Sequence, residues 1–312
     1  MDKNIWGQKL KSASVKFLQR WRSRKWNNIC VAVLERAPGS RAAGSSLSSD
    51  ARHVWNLPHP EFAHLLAAEQ PELCVNASGR ASVPASMVEP LADFEASTLL
   101  NFRLIDDIRR RSPGTTYIHV SSAAVYGEPS RLPVSEEAEV RPISPYGWHK
   151  HLSELVLEEH ARLFGLKSAS LRICSAYGPD LHRQVVWDLA WRATERPEEP
   201  LVLQGAAEDS RDFVHGADVA RAVELVAARG ALAGERYNLA CGLETRITEL
   251  ASLILRGLGR KDEVAFDARR RPGNPSRWHA DVARLRALGF EPSIGLPEGV
   301  EQVVAAVRRA RG

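Results

Sequence analysis

The chain is 312 residues long, 44 % of them hydrophobic, with a formal net charge of +4. That length suits one large domain or two joined ones, and the apolar fraction supports a sizeable core. No apolar run approaches a membrane span, and the basic N-terminus lacks the apolar stretch of a secretory signal, so a cytoplasmic protein is expected.

The positive excess is local. The first thirty residues hold eight Lys or Arg against one Asp, and the body is close to balanced. A nucleic-acid role would rest on this arm alone, and none is expected. The arm also carries Phe17, Trp21 and Trp26, a composition suited to contact with an anionic membrane surface. Cys30, Cys74, Cys174 and Cys241 form no close pair, and the ten histidines show no ligand spacing. No metal is expected.

After the arm (residues 1–28), "ICVAVLER" reads as a buried strand ending in an acid, and "APGSRAAGSSLSS" as loop. "ELCVNASG" is a strand running into small residues, "LADFEASTLLNFRLIDDIRRR" is helical, and "TTYIHVSS" is a third strand. "LVLEEHARLFGL" is a helix stopped by Gly165, and "SASLRICSA" is a fourth strand. Strands alternating with helices predict a Rossmann-like α/β fold, a doubly wound parallel sheet. Ligands of such sheets bind beyond the C-terminal strand ends. Glu35, Ser78, Gly79, Ser122 and Ser175 fall there. Past residue 175 the short strands "LVLQG", "ERYNLA" and "DEVAFD" mix with helices. This predicts domains 1–175 and 176–312, the second smaller and mixed, with some segments interleaved.

Tyr146 and Lys150 in "SPYGWHK" lie one turn apart on one helix face. A phenol is a poor base, but a nearby ammonium favours the phenolate and lowers its pKa. Tyr146 would then take a proton from a hydroxyl near neutral pH. The plainer alternative is an exposed Tyr and a solvated Lys at a helix start. Ser122 closes its strand where a hydroxyl reaches the ligand crevice, and the alternative there is a turn start.

"HVSSAAVYGEP", "SPYGWHK", "LRICSAYGP", "SRDFVHGADVARAV" and "RRPGNPSRWHADVARLRALGF" together resemble the extended short-chain dehydrogenase/reductase family, in its nucleotide-sugar epimerase/dehydratase branch. The resemblance runs from about residue 30 to the end. It implies NAD, a nucleoside-diphosphate sugar substrate and a homodimer built on helices beginning near Leu91 and Tyr146. By the same resemblance Ser122, Tyr146 and Lys150 are catalytic, and Lys150 also holds the nicotinamide ribose. Ser78 and Gly79 border the cofactor after the family's fourth strand. Glu35 matches the acid that meets the adenosine ribose at the end of the second. Ser175, Arg211 and Arg271 fall to the substrate, the two arginines on its diphosphate, where a guanidinium fork suits neighbouring phosphates. A salt bridge is the alternative for each arginine. Dehydratases of this branch carry an Asp-Glu pair just after the catalytic Ser or Thr. Ala123 and Ala124 stand there, which favours an epimerase.

One departure is large. The family's glycine-rich turn after the first strand is missing, and Gly7 is the sole glycine before Glu35. That turn lets backbone N–H groups approach a pyrophosphate. Its loss predicts a missing or replaced first strand and weak NAD binding. The alternative function is a degenerate, non-catalytic sugar-nucleotide-binding or membrane-peripheral scaffold.

Overall fold

The structure is a computed structural model and describes residues 29–32, 57–261, 264–267, 273 and 275–311. β1 (Ile29–Ala32) is followed among these by α1 (Pro60–Glu69), β2 (Leu73–Asn76), α2 (Val83–Val88) and α3 (Pro90–Phe94). A wider helical turn, Glu95–Leu99, carries α3 into α4 (Leu100–Arg111). Next come β3 (Thr116–Ser122), a tight turn at Ala123–Tyr126, α5 (Pro145–Phe164), β4 (Ser168–Ile173) and β5 (Ser175–Tyr177). The remainder is α6 (Gln184–Glu195), β6 (Leu201–Leu203), β7 (Ser210–His215), α7 (Gly216–Arg229), β8 (Ala233–Leu239), β9 (Glu244–Arg246), α8 (Ile247–Leu258), β10 (Val264–Phe266), α9 (Ala283–Ala287) and α10 (Leu296–Arg311).

The main sheet has five strands in the order β1-β2-β3-β4-β8, every pair parallel. Two smaller sheets, β5-β7-β9 and β10-β6, accompany it. The expected Rossmann-like class with a smaller mixed part is what the chain adopts. Two details differ from the sequence reading. "ERYNLA", assigned there to the second domain, lies in β8 and pairs with β4 in the main sheet. Ile29–Ala32, read as a second strand behind a missing first, lies directly beside β2. In a 3-2-1-4-5-6 order the neighbour of the fourth strand is the first, so β1 stands in the first strand's place. Short apolar strands look alike in sequence, and only pairing tells them apart.

Side chains alternate along each strand. Leu73, Val75, Ile118, Leu171, Ile173, Tyr237 and Leu239 turn to one face and pack with Val219, Val223 and Val226 of α7. The intervening Tyr117, His119, Ser121, Ser170, Arg172 and Asn238 are also buried. Their face is the one where Tyr117 bonds Asn101 of α4, and Ser121 and Arg172 bond Glu154 of α5. A separate apolar core gathers α6, α8 and α10 around Trp187, Leu250, Ile254 and Val303.

Candidate active site

The start of α5 is specified locally. Ser144 caps it, accepting from the Gly147 amide at 3.2 Å, and Pro145 occupies the first turn, where its missing N–H costs nothing. Tyr146 follows, with its amide donating to Ser86 Oγ of α2 at 3.1 Å. Gly147 lets this helix end press against the turn after β3. A Cβ there would meet the Ala124 carbonyl oxygen at 2.5 Å. The close approach sets the Tyr146 phenol beside Ser122, near enough for the hydroxyl to act on its pKa. Ser122 Oγ also accepts from the Ala124 amide at 3.2 Å.

Lys150 is buried one turn further on, and its Nζ donates to the Val120 carbonyl of β3 at 2.8 Å. The same ammonium would lie 3.9 Å from a Cβ on Gly79, which sits at φ +112, where L side chains are strained. The neighbouring Ser78 is buried, and its hydroxyl and amide both bond Asn76 Oδ1. Ser122, Tyr146, Lys150, Ser78 and Gly79 thus collect where the C-terminal ends of β2 and β3 meet α5.

The electrostatics differ from the expectation that Lys150 would lower the Tyr146 pKa. Burial pushes the phenol above its ordinary value; the Ser122 hydrogen bond and the Arg183 charge act against this rise, and Asp93 adds to it. Nζ lies 6.0 Å from the ring centroid and is turned to the β3 carbonyl, so desolvation wins. Burial also brings Lys150 down to about 8, with Asp93 and Glu154 opposing.

Ser175 opens β5, half-buried, and pairs with Phe213, two residues along β7 from Arg211. Arg211 is half-buried and donates to the carbonyls of Ser210 at 2.6 Å and Ser276 at 3.0 Å. Glu35 and Arg271 lie outside the described residues, as do the basic arm and the loop after β1.

Sequence reasoning missed several neighbours. Arg183, in the loop before α6, is half-buried and within electrostatic reach of the Tyr146 phenol. Asp93 of α3 is fully buried and meets His149 Nδ1 at 2.6 Å. Neither spacing nor a motif marks these residues. Glu154 was visible as the next member of the Tyr146–Lys150 stripe, four residues on.

Comparison with known proteins agrees in family. The profile described as "NAD dependent epimerase/dehydratase family" matches residues 17–240. A UDP-glucose 4-epimerase of Mycolicibacterium smegmatis is 30 % identical over 252 residues, covering 80 % of this chain and 80 % of its own. Among solved structures, a UDP-glucose 4-epimerase from Thermotoga maritima with UDP-glucose superposes with a TM-score of 0.74 at 28 % identity, covering 81 % of this chain and 82 % of its own. A dTDP-glucose 4,6-dehydratase from Streptomyces venezuelae with NAD bound gives 0.72 at 30 % identity, covering 80 % and 78 %. These two structures, an epimerase and a dehydratase, match at comparable identity and TM-score, so overall likeness to them does not choose between the two reactions.

Proposed function

The chain belongs to the NAD-dependent epimerase/dehydratase family, and from that premise we propose that it is a nucleotide-sugar epimerase working by transient oxidation at C4, with Tyr146 as the base. The observation that carries this is the seating of the start of α5 on the turn after Ser122, which sets Tyr146 beside Ser122 with Lys150 buried one turn along the same helix. Ala123 and Ala124 support epimerisation, because elimination of water needs an acid just after Ser122 and neither residue supplies one.

The described residues fit NAD. Gly79 leaves open the space a Cβ would fill, beside Lys150 Nζ and the buried Ser97 Oγ, which makes no hydrogen bond. Ser78 and Gly79 would border the cofactor, and Lys150 would hold its ribose. Bound there, NAD would supply the hydride acceptor and donor for the sugar carbon. Ser122 Oγ orients the reacting sugar oxygen, and Tyr146 Oη removes its proton and later gives it back. Because burial raises the Tyr146 pKa, the cations around it are needed to favour the phenolate. Arg183 is one of them. Arg211 and Arg271 are assigned to the substrate diphosphate and Ser175 to the sugar-nucleotide. The division at residues 175/176 belongs to the same proposal, with β8 as an interleaved segment.

We further place a homodimer on the helical stretch Pro90–Arg111 and on α5. Leu91 (68 % exposed), Trp148 (50 %) and Leu155 (42 %) support this, since such side chains favour a covered face. Sedimentation as a monomer at micromolar protein would refute it. No helix among the described residues is long and apolar enough to cross a membrane.

The central test is Tyr146→Phe, assayed for C4 epimerisation of UDP-glucose, UDP-galactose and UDP-N-acetylglucosamine. Turnover should fall about 10²- to 10⁴-fold with the melting temperature unmoved. Unchanged epimerisation removes Tyr146 from the mechanism. The second reading, a non-catalytic sugar-nucleotide-binding scaffold, is favoured by one observation: with β1 in the first strand's place, the sequence after it holds Gly39 and Gly44 but no Gly-x-x-Gly-x-x-Gly spacing. Calorimetric titration of NAD decides it: weak or no binding by the folded protein supports the scaffold, and stoichiometric binding at micromolar affinity or better excludes it.

A further inference from the structure

We propose that Glu154 and Arg172 form a buried positioning pair that fixes Ser122 against the helix carrying Tyr146 and Lys150. The inference rests on the catalytic reading of those three residues. Glu154 lies one turn beyond Lys150 on α5 and is 1 % exposed, as is Arg172 on β4. Arg172 Nη2 donates to Glu154 Oε2 at 2.7 Å and Nε to Oε1 at 3.0 Å, a two-pronged contact.

The pair grips the chain on both sides of Ser122. Ser121 Oγ donates to Glu154 Oε1 at 2.6 Å. Beyond Ser122 the tight turn ends at Tyr126, whose hydroxyl accepts from Arg172 Nη1 at 2.9 Å and donates to Asn238 Oδ1 at 2.7 Å. One carboxylate on the helix and one guanidinium on the neighbouring strand therefore hold both flanks of the reacting serine. Stability does not require this chemistry. Well-packed apolar residues of similar volume replace buried ion pairs at little cost or with a gain. They cannot bind the Ser121 hydroxyl or the Tyr126 phenol, nor place a negative charge one turn from Lys150.

The charge has a definite sign of action. Lys150 faces Asp93 from α3, His119 from β3, and Tyr146 and Glu154 on its own helix. Glu154 faces Arg172, Arg236 of β8 at 3.8 Å and His151 at 3.8 Å. Replacing Glu154 by Gln removes one negative charge and leaves Arg172 uncompensated. Lys150 should then lose its proton at lower pH.

The test uses the full chain with Glu154→Gln, its fold verified by circular dichroism and melting. Two quantities are read: the midpoint pH of Lys150 acetylation by acetic anhydride, followed by mass spectrometry, and kcat and KM on the UDP-sugar that Tyr146→Phe fails to turn over. The midpoint should fall by about one unit, and kcat by about 10- to 100-fold with KM nearly unchanged. An unmoved midpoint or an unmoved kcat overturns the proposal. If Glu154→Gln does not fold, Ser121→Ala removes only the flanking hydroxyl contact and should still lower kcat about tenfold, and wild-type kcat there overturns the proposal. A Tyr146→Phe variant that keeps turning over defeats the catalytic reading instead. A dead Tyr146→Phe beside an unaffected Glu154→Gln defeats only the positioning pair.

Discussion

The two faces of the main sheet are built from alternate residues of the same strands, yet they are different materials. Toward α7 the strands present Val75, Ile118, Leu171 and Leu239, an apolar surface in a continuous core. Toward α4 and α5 they present Asn76, Tyr117, Ser121, Arg172 and Asn238, all buried and hydrogen-bonded, with His119 and Ser170 buried among them without a hydrogen bond. Apolar burial is non-directional and supplies stability in proportion to area. A satisfied polar layer is directional and fixes one arrangement. The helix with Tyr146 and Lys150 lies on the directional face, so stability and geometry are assigned to opposite sides of one sheet.

The sharpest way to break this comparison is to injure the site, at the strand end held by the polar face, and the apolar face once each. Ser122→Ala should lower kcat about 10²-fold and leave the melting temperature nearly unchanged. Leu171→Ala, at a fully buried position on the α7 face, should cost about 2–5 kcal/mol of stability and leave kcat per folded molecule unchanged. Denaturant melts and steady-state rates on both variants measure the contrast. A Leu171→Ala protein with impaired kcat at full folding would show that the faces are not separate in function.

A smaller effect belongs to the polar face under acid. Burial alone would raise the Glu154 pKa, but the neighbouring His151, hydrogen bonds from Arg172 and Ser121 and the Arg172 charge hold it at about 2, below its ordinary 4.5. A carboxylate depressed on folding contributes stability that is fully present above pH 4.5 and is lost as pH falls toward 2. The difference corresponds to about 3 kcal/mol. Chemical denaturation across that window should show a steep loss in the wild type and a flatter line in Glu154→Gln. Parallel lines would mean that Glu154 is not held as an anion by this network.

How much of this was readable beforehand follows the same division. Ser122, Tyr146 and Lys150 stood out because strand ends and helix starts carry local signals, here Ser144, Pro145 and a run of small residues. The α/β class followed from alternation of strand and helix patterns. The polar face was not readable. "SASLRI" and "TYIHVSS" contain Ser, His and Arg that look solvent-facing, and only the fold shows a helix lying over them. Arg172 finds its carboxylate 18 residues away on α5, across a pairing no periodicity reveals. Arg183 reaches Tyr146 from a loop, where side-chain direction has no sequence rule. The place of Ile29–Ala32 beside β2 was hidden for a related reason, since a four-residue apolar strand carries no mark of its neighbours.

The smallest expected effect asks whether the whole polar face is functional or only the part around Glu154. His119 is 1 % exposed on β3, and neither of its ring nitrogens makes a hydrogen bond. Burial first, then the Lys150 charge, depresses its pKa well below 6.5, while Glu154 opposes. The folded protein therefore keeps His119 neutral where the unfolded chain takes up a proton. Because the unfolded state then binds more protons, stability is lost as pH falls through 6.5. At pH 5.5 that loss is about 1 kcal/mol, in a window separate from the one set by Glu154. His119→Leu removes both the titration and an unbonded polar ring, and an apolar replacement for such a group is neutral or stabilising. The variant should melt at or slightly above the wild-type temperature at pH 7, lose the slope between pH 6.5 and 5, and keep its kcat. A lower melting temperature at pH 7 would mean that His119 is bonded in solution. A drop in kcat would extend the functional part of the face beyond the Glu154 cluster to the middle of β3.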